Sequence, residues 1–229
     1  MPEMLILCPT RGRPEAAREA FESFRDTSRL EGAEIMFVVD DDDPALPQYE
    51  GQRFLHLTQA APGNMVRALN VAALWAIDHW DPKFIGFIGD DHRFRTPNWD
   101  VAFAALLTER GGGMVYGNDL ARVDGDIPTQ IVMSSEIVKA LGWMGLPGCT
   151  HLYIDNAWRV IGEELKAIFY MPDIVIEHLH PAFGKADWDE GHKRVNTSEM
   201  YGHDAEAFAE WIRTTAPDDV LRVKEAMRK

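Results

Sequence analysis

Apolar positions in the first half of the chain follow two alternating periods. Four short runs rich in β-branched and aromatic residues predict strands, at residues 4–8, 34–39, 53–57 and 83–88. Apolar side chains between them recur at helical spacing, in one helix that begins near Pro14 and another that runs from Val66 to Trp80. Strands that alternate with helices are typical of α/β proteins. The pattern therefore predicts a mostly parallel central sheet flanked by helices.

The alternation is looser after residue 100. The pattern there predicts helices and strands in the order helix 101–107, strand 114–116, strand 130–133, helix 155–161, strand 167–170 and strand 174–177. A polar stretch over residues 181–198 predicts irregular structure, and the chain from about residue 205 predicts one or two charged surface helices. No internal repeat and no linker divides the chain, so we expect a single domain.

The composition fits one globular unit in a reducing compartment. The 229 residues are 46% hydrophobic, which is enough to bury a substantial core. The net charge of −14 opposes broad binding to nucleic-acid phosphates. The start of the chain does not have the pattern of a signal peptide, and no stretch reaches the length of a membrane span. Cys8 and Cys149 form no CxxC pair or disulfide framework. We therefore expect a cytoplasmic protein.

Three predicted strands run directly into polar segments. These segments are PTRGRP at residues 9–14, the end of VVDDDDP at residues 38–44, and the end of IGDDHRF at residues 88–94. Because ligands of open α/β sheets bind at the carboxyl ends of parallel strands, we expect all three segments at one edge of the sheet. Arg11 suits a phosphate, and Asp40 suits the hydroxyls of a ribose or the edge of a base.

Two further patterns suit a metal ion. The adjacent carboxylates of Asp90 and Asp91, followed by His92, fit a hard or borderline divalent ion such as Mg²⁺ or Mn²⁺. A turn accounts for Gly-Asp-Asp equally well. His178 and His180 lie two residues apart at the end of a predicted strand, and therefore on one face. Metal ligation is one interpretation of this pair, and one packed plus one solvated histidine is the other.

Two predicted helix starts carry polar residues. No Walker-type or GxGxxG loop follows the first strand. Instead, Asn64 opens a helix in which Arg67 follows one turn later, and a helix N-terminus is a ready anion site. A capped helix with an exposed arginine is equally compatible. Asp155 lies in the first turn of another helix, among aromatic residues. Partial burial there can tune a carboxyl group for base chemistry, although an acidic residue at this position also favours the helix dipole.

Taken in order, these segments resemble the nucleotide-sugar-dependent glycosyltransferases of the GT-A fold. Small family-2-like members, including those encoded by bacteriophages, are the most similar. The segments that carry the resemblance are PTRGRP, Asp40 after the second strand, Gly-Asn with Arg67, Asp-Asp after the fourth strand, DNAW at residues 155–158 and EHLH at residues 177–180. The resemblance covers about residues 4–195. It implies a Rossmann-like sandwich with a C-terminal helical tail.

The resemblance also implies roles for individual residues. It implies nucleotide and donor binding by a set of residues on the strand and helix ends: Pro9, Thr10, Arg11, Asp40, Asn64, Arg67 and Asp90. It implies that Asp91 and one of His178 and His180 bind Mn²⁺ or Mg²⁺. The usual Asp-x-Asp motif has His92 in its third position here, so His92 is a further candidate ligand. Asp155 would be the general base of an inverting enzyme, or would orient the substrates of a retaining one.

The function implied by the resemblance is metal-dependent transfer of a sugar from a UDP- or GDP-linked donor. The acceptor, which is a protein, glycan, small molecule or modified nucleic acid, is left open, as is the oligomeric state. Within one domain, residues 1–98 would bind nucleotide, residues 99–198 would bind acceptor and metal, and residues 199–229 would form the tail. The setting would be a bacterial or phage-infected cell. Three alternatives stay open: a nucleotidyltransferase acting on a sugar phosphate, a non-catalytic nucleotide-binding GT-A domain, and a metallohydrolase.

Overall fold

One mixed sheet with helices on both faces organises the chain. The computed structural model describes residues 1–50, 55–59, 63–122 and 125–228. The strands among these residues are β1 Met4–Thr10, β2 Ala33–Asp40, β3 Leu55–Gln59, β4 Phe84–Phe87, β5 His92–Phe94, β6 Met114–Asn118, β7 Ile131–Ser134 and β8 Ile168–His178. The helices are α1 Pro14–Thr27, α2 Leu46–Glu50, α3 Met65–Trp80, α4 Trp99–Glu109, α5 Ser135–Leu141, α6 Ile154–Leu165, α7 Glu190–Val195, α8 Ser198–Thr214 and α9 Ala216–Ala226.

The strand order is β3-β2-β1-β4-β7-β6-β8-β5. The pairs β3–β2, β2–β1, β1–β4 and β6–β8 are parallel. The pairs β4–β7, β7–β6 and β8–β5 are antiparallel. The prediction of a mostly parallel sheet flanked by helices is therefore confirmed. Because β1, β2 and β4 are parallel neighbours, their carboxyl ends meet at one edge, as the sequence predicted for the three polar segments.

The central strands are buried on both faces. In β1, Leu5 and Leu7 point into one apolar cluster, and Ile6 and Cys8 point into the other. The first cluster is completed mainly by α3, α5 and α6 with the C-terminal helices, and the second by α1 and α4. A strand with helices on both faces is apolar at nearly every position, which is why these runs were recognisable in the sequence.

Several predicted elements differ from the structure. The two strands predicted at 167–170 and 174–177 are one strand, β8, with an irregularity opposite Gly117 and Asn118 of β6. The sequence pattern did not predict α2, α5 or β5, because these elements are too short to show a helical or strand period of apolar residues. The predicted strand at 53–57 is β3 from residue 55 onward, and residues 53 and 54 lie outside the described part of the chain.

The C-terminal part is more regular than predicted. The stretch 181–198 contains a short 3-10 turn and α7, which begins after Asp189, whose side chain accepts a hydrogen bond from the N–H of His192. The two final helices are not only a charged surface, because Trp211 and Val223 are buried in the first apolar cluster. No helix in the described ranges has both the length and the apolar character needed to cross a membrane.

Candidate functional site

Side chains from the ends of β1, β2 and β4 form one hydrogen-bonded network. Thr10 donates its hydroxyl to one carboxylate oxygen of Asp90 at 2.6 Å, and Arg13 donates to the other at 2.6 Å. Arg11 donates to Asp40 at 2.8 Å. Each bond joins segments that are 29 or more residues apart in sequence, so the sheet topology alone brings these groups together.

Asp90 is the buried centre of this network. Burial raises the pKa of Asp90 to about 6, although the nearby positive charge of Arg13 acts in the opposite direction. Both carboxylate oxygens are already engaged by Thr10 and Arg13. Asp90 therefore holds the ends of β1 and β4 together. It is not one of the grouped metal-ligand candidates, which begin with the next residue, Asp91.

Asp91, His92 and His178 form a compact cluster that can hold a metal ion. One ligand atom from each residue lies within 4.8 Å of the others. Asp91 Oδ1 lies 3.2 Å from His92 Nδ1, and Asp91 Oδ2 lies 3.2 Å from His178 Nε2. The two imidazoles meet because His92 of β5 is directly opposite His178 of β8, and their rings stack with centroids 4.2 Å apart.

The donor set of this cluster fits a borderline divalent ion. Burial disfavours the charged form of Asp91, but the nearby imidazoles of His178, His192 and His92 outweigh burial and hold the pKa of this carboxyl well below its usual range. The buried atoms His92 Nε2 and His178 Nδ1 have no hydrogen-bond partner within the described residues. One carboxylate with two imidazoles suits Mn²⁺ or another transition metal better than Mg²⁺, which prefers oxygen ligands.

His180 lies beside the cluster. Its Nδ1 accepts a hydrogen bond from the N–H of Ala182, which begins the 3-10 turn. Burial lowers the pKa of His180 to about 4, so the ring is neutral near pH 7. Of the two histidines in EHLH, the structure therefore places His178 in the compact cluster and His180 next to it.

The sequence analysis missed the position of His192 in α7. His192 is 5% exposed, and its Nε2 lies 3.5 Å from Asp91 Oδ2. Asp189, the N-cap of α7, lies 3.1 Å from Arg13 Nε. Thus α7 covers the cluster and is tied to the end of β1 by Arg13. The spacing Asp189-x-x-His192 is an N-cap pattern that can be read from the sequence, although α7 has no apolar stripe.

The start of α3 contributes to the same edge. Asn64 caps α3 by accepting a hydrogen bond from the N–H of Arg67, and Gly63 donates its N–H to Asp40 at 3.1 Å. Asn64 and Pro9 line the cavity described below. The side chain of Arg67 is exposed and lies outside the lining.

Asp155 lies on the opposite wall, at the start of α6. The preceding loop is fixed by a fully buried carboxylate of α8, Asp204, which accepts hydrogen bonds from the N–H groups of Thr150, His151 and Leu152 at 2.7–2.9 Å. Tyr153, which follows, has φ 63°, a left-handed conformation that is uncommon outside glycine. Burial raises the pKa of Asp155 above the usual carboxyl range.

One cavity of about 330 Å³ joins these groups. The sequence-predicted residues that line it are Pro9, Thr10, Arg11, Asp40, Asn64, Asp90, Asp91, His92, Asp155, His178 and His180. The lining also includes residues that sequence reasoning did not assign, among them Arg122, His151, His192 and Arg194. The arrangement provides cationic groups and a metal-ligand cluster on one side and the half-buried carboxylate of Asp155 on the other.

No family model and no curated protein matches this chain. Solved structures do match it. The S. aureus TarS 1–349 structure in complex with UDP aligns with a TM-score of 0.59 and 16% identity, over 97% of this chain and 81% of that one. The mannosyltransferase PcManGT from Pyrobaculum calidifontis, in complex with GDP-Man and Mn²⁺, aligns with a TM-score of 0.60 and 13% identity, over 98% of this chain and 74% of that one.

A longer S. aureus TarS chain aligns over 93% of this chain but only 43% of its own length, so this chain spans less than half of that protein. At identities of 13–16%, these likenesses concern the fold. The matched structures share the mixed sheet over nearly the whole of this chain. The chain therefore has the GT-A-type fold of nucleotide-sugar glycosyltransferases.

Proposed function

We propose that this chain transfers a sugar from a nucleoside-diphosphate sugar to an acceptor hydroxyl, with a divalent ion held by Asp91 and His178 and with His92 beside them. The observation that carries the proposal is the single cavity that has this cluster on one wall and Asp155 on the other. The structural neighbours in complex with UDP, or with GDP-Man and Mn²⁺, support a donor of this class.

The strand ends would hold the nucleotide part of the donor. Asp40 accepts hydrogen bonds from Arg11 and from the N–H of Gly63, which leaves a preorganised polar edge for a ribose or base. Thr10 and Arg13 fix Asp90 and so keep the β1 and β4 ends in register. Arg194 of α7 reaches the cavity from above, where a guanidinium can bind a diphosphate.

Asp155 would act on the acceptor. The acceptor oxygen attacks the anomeric carbon, the bond from that carbon to the diphosphate oxygen breaks, and the hydroxyl proton passes to the Asp155 carboxylate. The diphosphate leaves with the bonding electron pair. A bound divalent ion supplies positive charge that stabilises this leaving group. In an enzyme that retains configuration, Asp155 would instead orient the substrates.

In the proposed enzyme, α7 covers part of the cavity. Water competes with the acceptor for the donor, so a transferase gains from excluding it. The contacts of α7 with Arg13 and Asp91 keep this helix over the cluster.

The experiment is a thermal-shift panel of UDP, GDP, ADP and CDP, each with Mn²⁺, with Mg²⁺ and with EDTA. A ligand that binds only the folded state raises the melting temperature, so the best nucleotide identifies the donor class. We expect the largest shift from UDP or GDP with Mn²⁺, and its loss in Asp91→Asn. Asp78→Asn, which changes an exposed carboxylate of α3 far from the cavity, is the matched control.

Three outcomes would contradict the proposal. A nucleotide shift that is the same in Asp91→Asn and the parent would remove Asp91 from the donor site. Release of pyrophosphate from UTP and a sugar phosphate, with no turnover of any sugar nucleotide, would identify a nucleotidyltransferase. Donor binding without hydrolysis or transfer to any acceptor would identify a non-catalytic domain.

A further inference from the structure

Among the described residues, four arginines line the cavity of a chain whose net charge is −14, namely Arg11, Arg13, Arg122 and Arg194. Arg11 and Arg13 are paired with carboxylates at the strand ends. The other two form no ion pair with any residue in the part of the chain that the structure describes. An unpaired guanidinium at a cavity is a binding group for an anion, because its fork of N–H donors matches an oxyanion.

The two unpaired arginines serve different sides of the cavity. Arg194 lies on the nucleotide side: the pKa of Asp42 is lowered by its hydrogen bond to Arg11 and, to a smaller extent, by Arg194. Arg122 lies on the side of Asp155. Burial raises the pKa of Asp155, and Arg122 is among the groups that act against this rise. Geometry agrees with this placement: Asp126, four residues after Arg122, accepts a hydrogen bond on its carbonyl from Arg159 Nη1 of α6 at 2.8 Å, one turn after Asp155. Of these two arginines, Arg122 is therefore the one beside the helix that carries Asp155.

Hydrogen bonds to Asp119 hold residues 119–122, the segment that ends with Arg122. Asp119, which is 4% exposed, accepts hydrogen bonds from the N–H groups of Ala121 and Arg122, both at 2.8 Å, and from the Thr129 hydroxyl at 2.8 Å. The carbonyl of Asp119 accepts the N–H of His178 at 3.0 Å. Residues 119–122 are thus fixed to β8, the strand that ends with His178, so the backbone of Arg122 lies close to the candidate metal cluster.

The guanidinium of Arg122 lies over the ring of Phe183, with 5.6 Å from Cζ to the ring centroid. Stacking on a ring orients the guanidinium plane and leaves the N–H edges free for hydrogen bonds. Phe183 itself is 38% exposed and lines the cavity. Arg122 and Phe183 together form one corner of the cavity that Asp155 also lines.

We infer that Arg122 binds an oxyanion carried by the acceptor, so that the acceptor is a hydroxyl compound bearing a phosphate ester or a carboxylate. This inference rests on the proposed function, because it places the acceptor beside Asp155. The acidic surface does not oppose it: charges farther away than about 8 Å are screened at physiological salt.

The experiment compares matched acceptors. With the donor class from the thermal-shift panel and Mn²⁺, transfer is measured to glycerol, glycerol 3-phosphate and glycerate. We expect kcat/KM for at least one charged acceptor to exceed that for glycerol by about tenfold or more, as a charge-assisted hydrogen bond allows. The two charged compounds show whether phosphate or carboxylate is preferred. Arg122→Gln should bring the ratio close to one.

Arg110→Gln is the matched control, because Arg110 also lies over a phenylalanine ring, at 5.4 Å from Phe169, but does not line the cavity. It should keep the preference for the charged acceptor. Equal ratios in the parent and in Arg122→Gln would overturn the inference, as would a preference of the parent for glycerol.

A binding measurement keeps the test independent of turnover. The dissociation constants of glycerol 3-phosphate and glycerate are measured by NMR titration of the parent and of Arg122→Gln. A rise of about tenfold for either anion in the variant supports the anion site even where no transfer is seen, and equal constants overturn it. Failure of the proposed function shows separately, as the absence of a nucleotide shift in the thermal panel.

Discussion

The two walls of the cavity are held together in different ways. On the wall proposed to bind the donor (the donor wall), side chains at the ends of neighbouring parallel strands bind one another, as in the bonds of Thr10 and Arg13 to Asp90. On the wall proposed to bind the acceptor (the acceptor wall), the loop before Asp155 pairs with none of the strands in the described part of the chain. Its backbone N–H groups are bound by Asp204, which lies more than 50 residues away in α8.

Because of this difference, substitutions on the two walls should affect different properties of the protein. The donor wall depends on charges that face each other across a sheet edge, so its substitutions should alter ligand affinity. The acceptor wall depends on one buried carboxylate that organises a loop, so substitutions there should alter the rate at which bound substrates react.

The largest expected effect follows replacement of the proposed base. Asp155→Asn keeps the shape of the side chain but cannot take a proton, so kcat should fall by about 10²- to 10⁴-fold. The dissociation constant for the nucleotide with Mn²⁺ should change little, because Asp155 is on the other wall. Steady-state kinetics and calorimetry of the same samples measure both.

Glu163→Gln changes an exposed carboxylate at the far end of the same helix and should keep full activity. A loss of nucleotide affinity in Asp155→Asn equal to its loss of kcat would mean that the two walls do not work separately.

The next effect concerns Asp204. Asp204→Asn replaces a carboxylate oxygen by an amide group that cannot accept all of these N–H bonds, so the loop should shift and kcat should fall by about 10- to 100-fold. Unfolding free energy should also fall, by about 2 to 4 kcal/mol, because buried donors lose their partner. Nucleotide affinity should be retained, which a general loss of structure would not allow.

The chain offers a matched control in Asp100. This carboxylate of α4 is also fully buried and accepts the N–H groups of Arg29 and Leu30 and the hydroxyl of Ser28, but it lies outside the cavity lining. Asp100→Asn should lose similar stability and keep kcat. Equal losses of kcat in both variants would reduce the role of Asp204 to stability.

The same difference decides what the sequence reveals. The grouping of residues on the donor wall can be predicted from the sequence, because each polar segment follows an apolar strand and parallel strands bring their carboxyl ends together. The role of Asp204 cannot be predicted from the sequence, because nothing distinguishes this aspartate from the other charged residues of its helix or indicates which loop it binds. The choice of His178 over His180 required the register of β5 against β8, which depends on a strand of only three residues.

A smaller effect is expected on the donor wall. Arg13 reaches Asp90 through Nη1 and Asp189 through Nε, and so links β4 to α7. Lysine has one donor group on a flexible stem and cannot reproduce this geometry. Arg13→Lys should therefore raise KM for the donor by about 3- to 10-fold, a loss of about 1 kcal/mol, with a smaller change in kcat.

Arg18→Lys, which alters an exposed arginine paired with Glu15 and Glu22 of α1, should leave both constants unchanged. A fall in kcat without a change in KM for Arg13→Lys would assign Arg13 to the chemical step instead.

The smallest effects are the pH dependences of stability, and they should have opposite signs on the two walls. Burial raises the pKa of Asp90 to about 6. In the metal-free protein, the native state then binds more protons than the unfolded state between about pH 4 and 6. The contribution of Asp90 is therefore full below pH 4 and is lost as pH rises through 6. Asp90→Asn should remove this loss.

On the acceptor wall, burial lowers the pKa of His151 to about 4. Its unfolded form takes up a proton below about pH 6.5, whereas the native form stays neutral, so stability falls as pH falls from 6.5 to 4. His151→Gln should remove this fall. Urea unfolding with EDTA at pH 4.5, 5.5 and 7 gives the difference between each variant and the parent. Each difference in unfolding free energy between parent and variant isolates one titrating group. If these differences change with pH in the same direction for both variants, burial acts on the charges of the two walls in the same way.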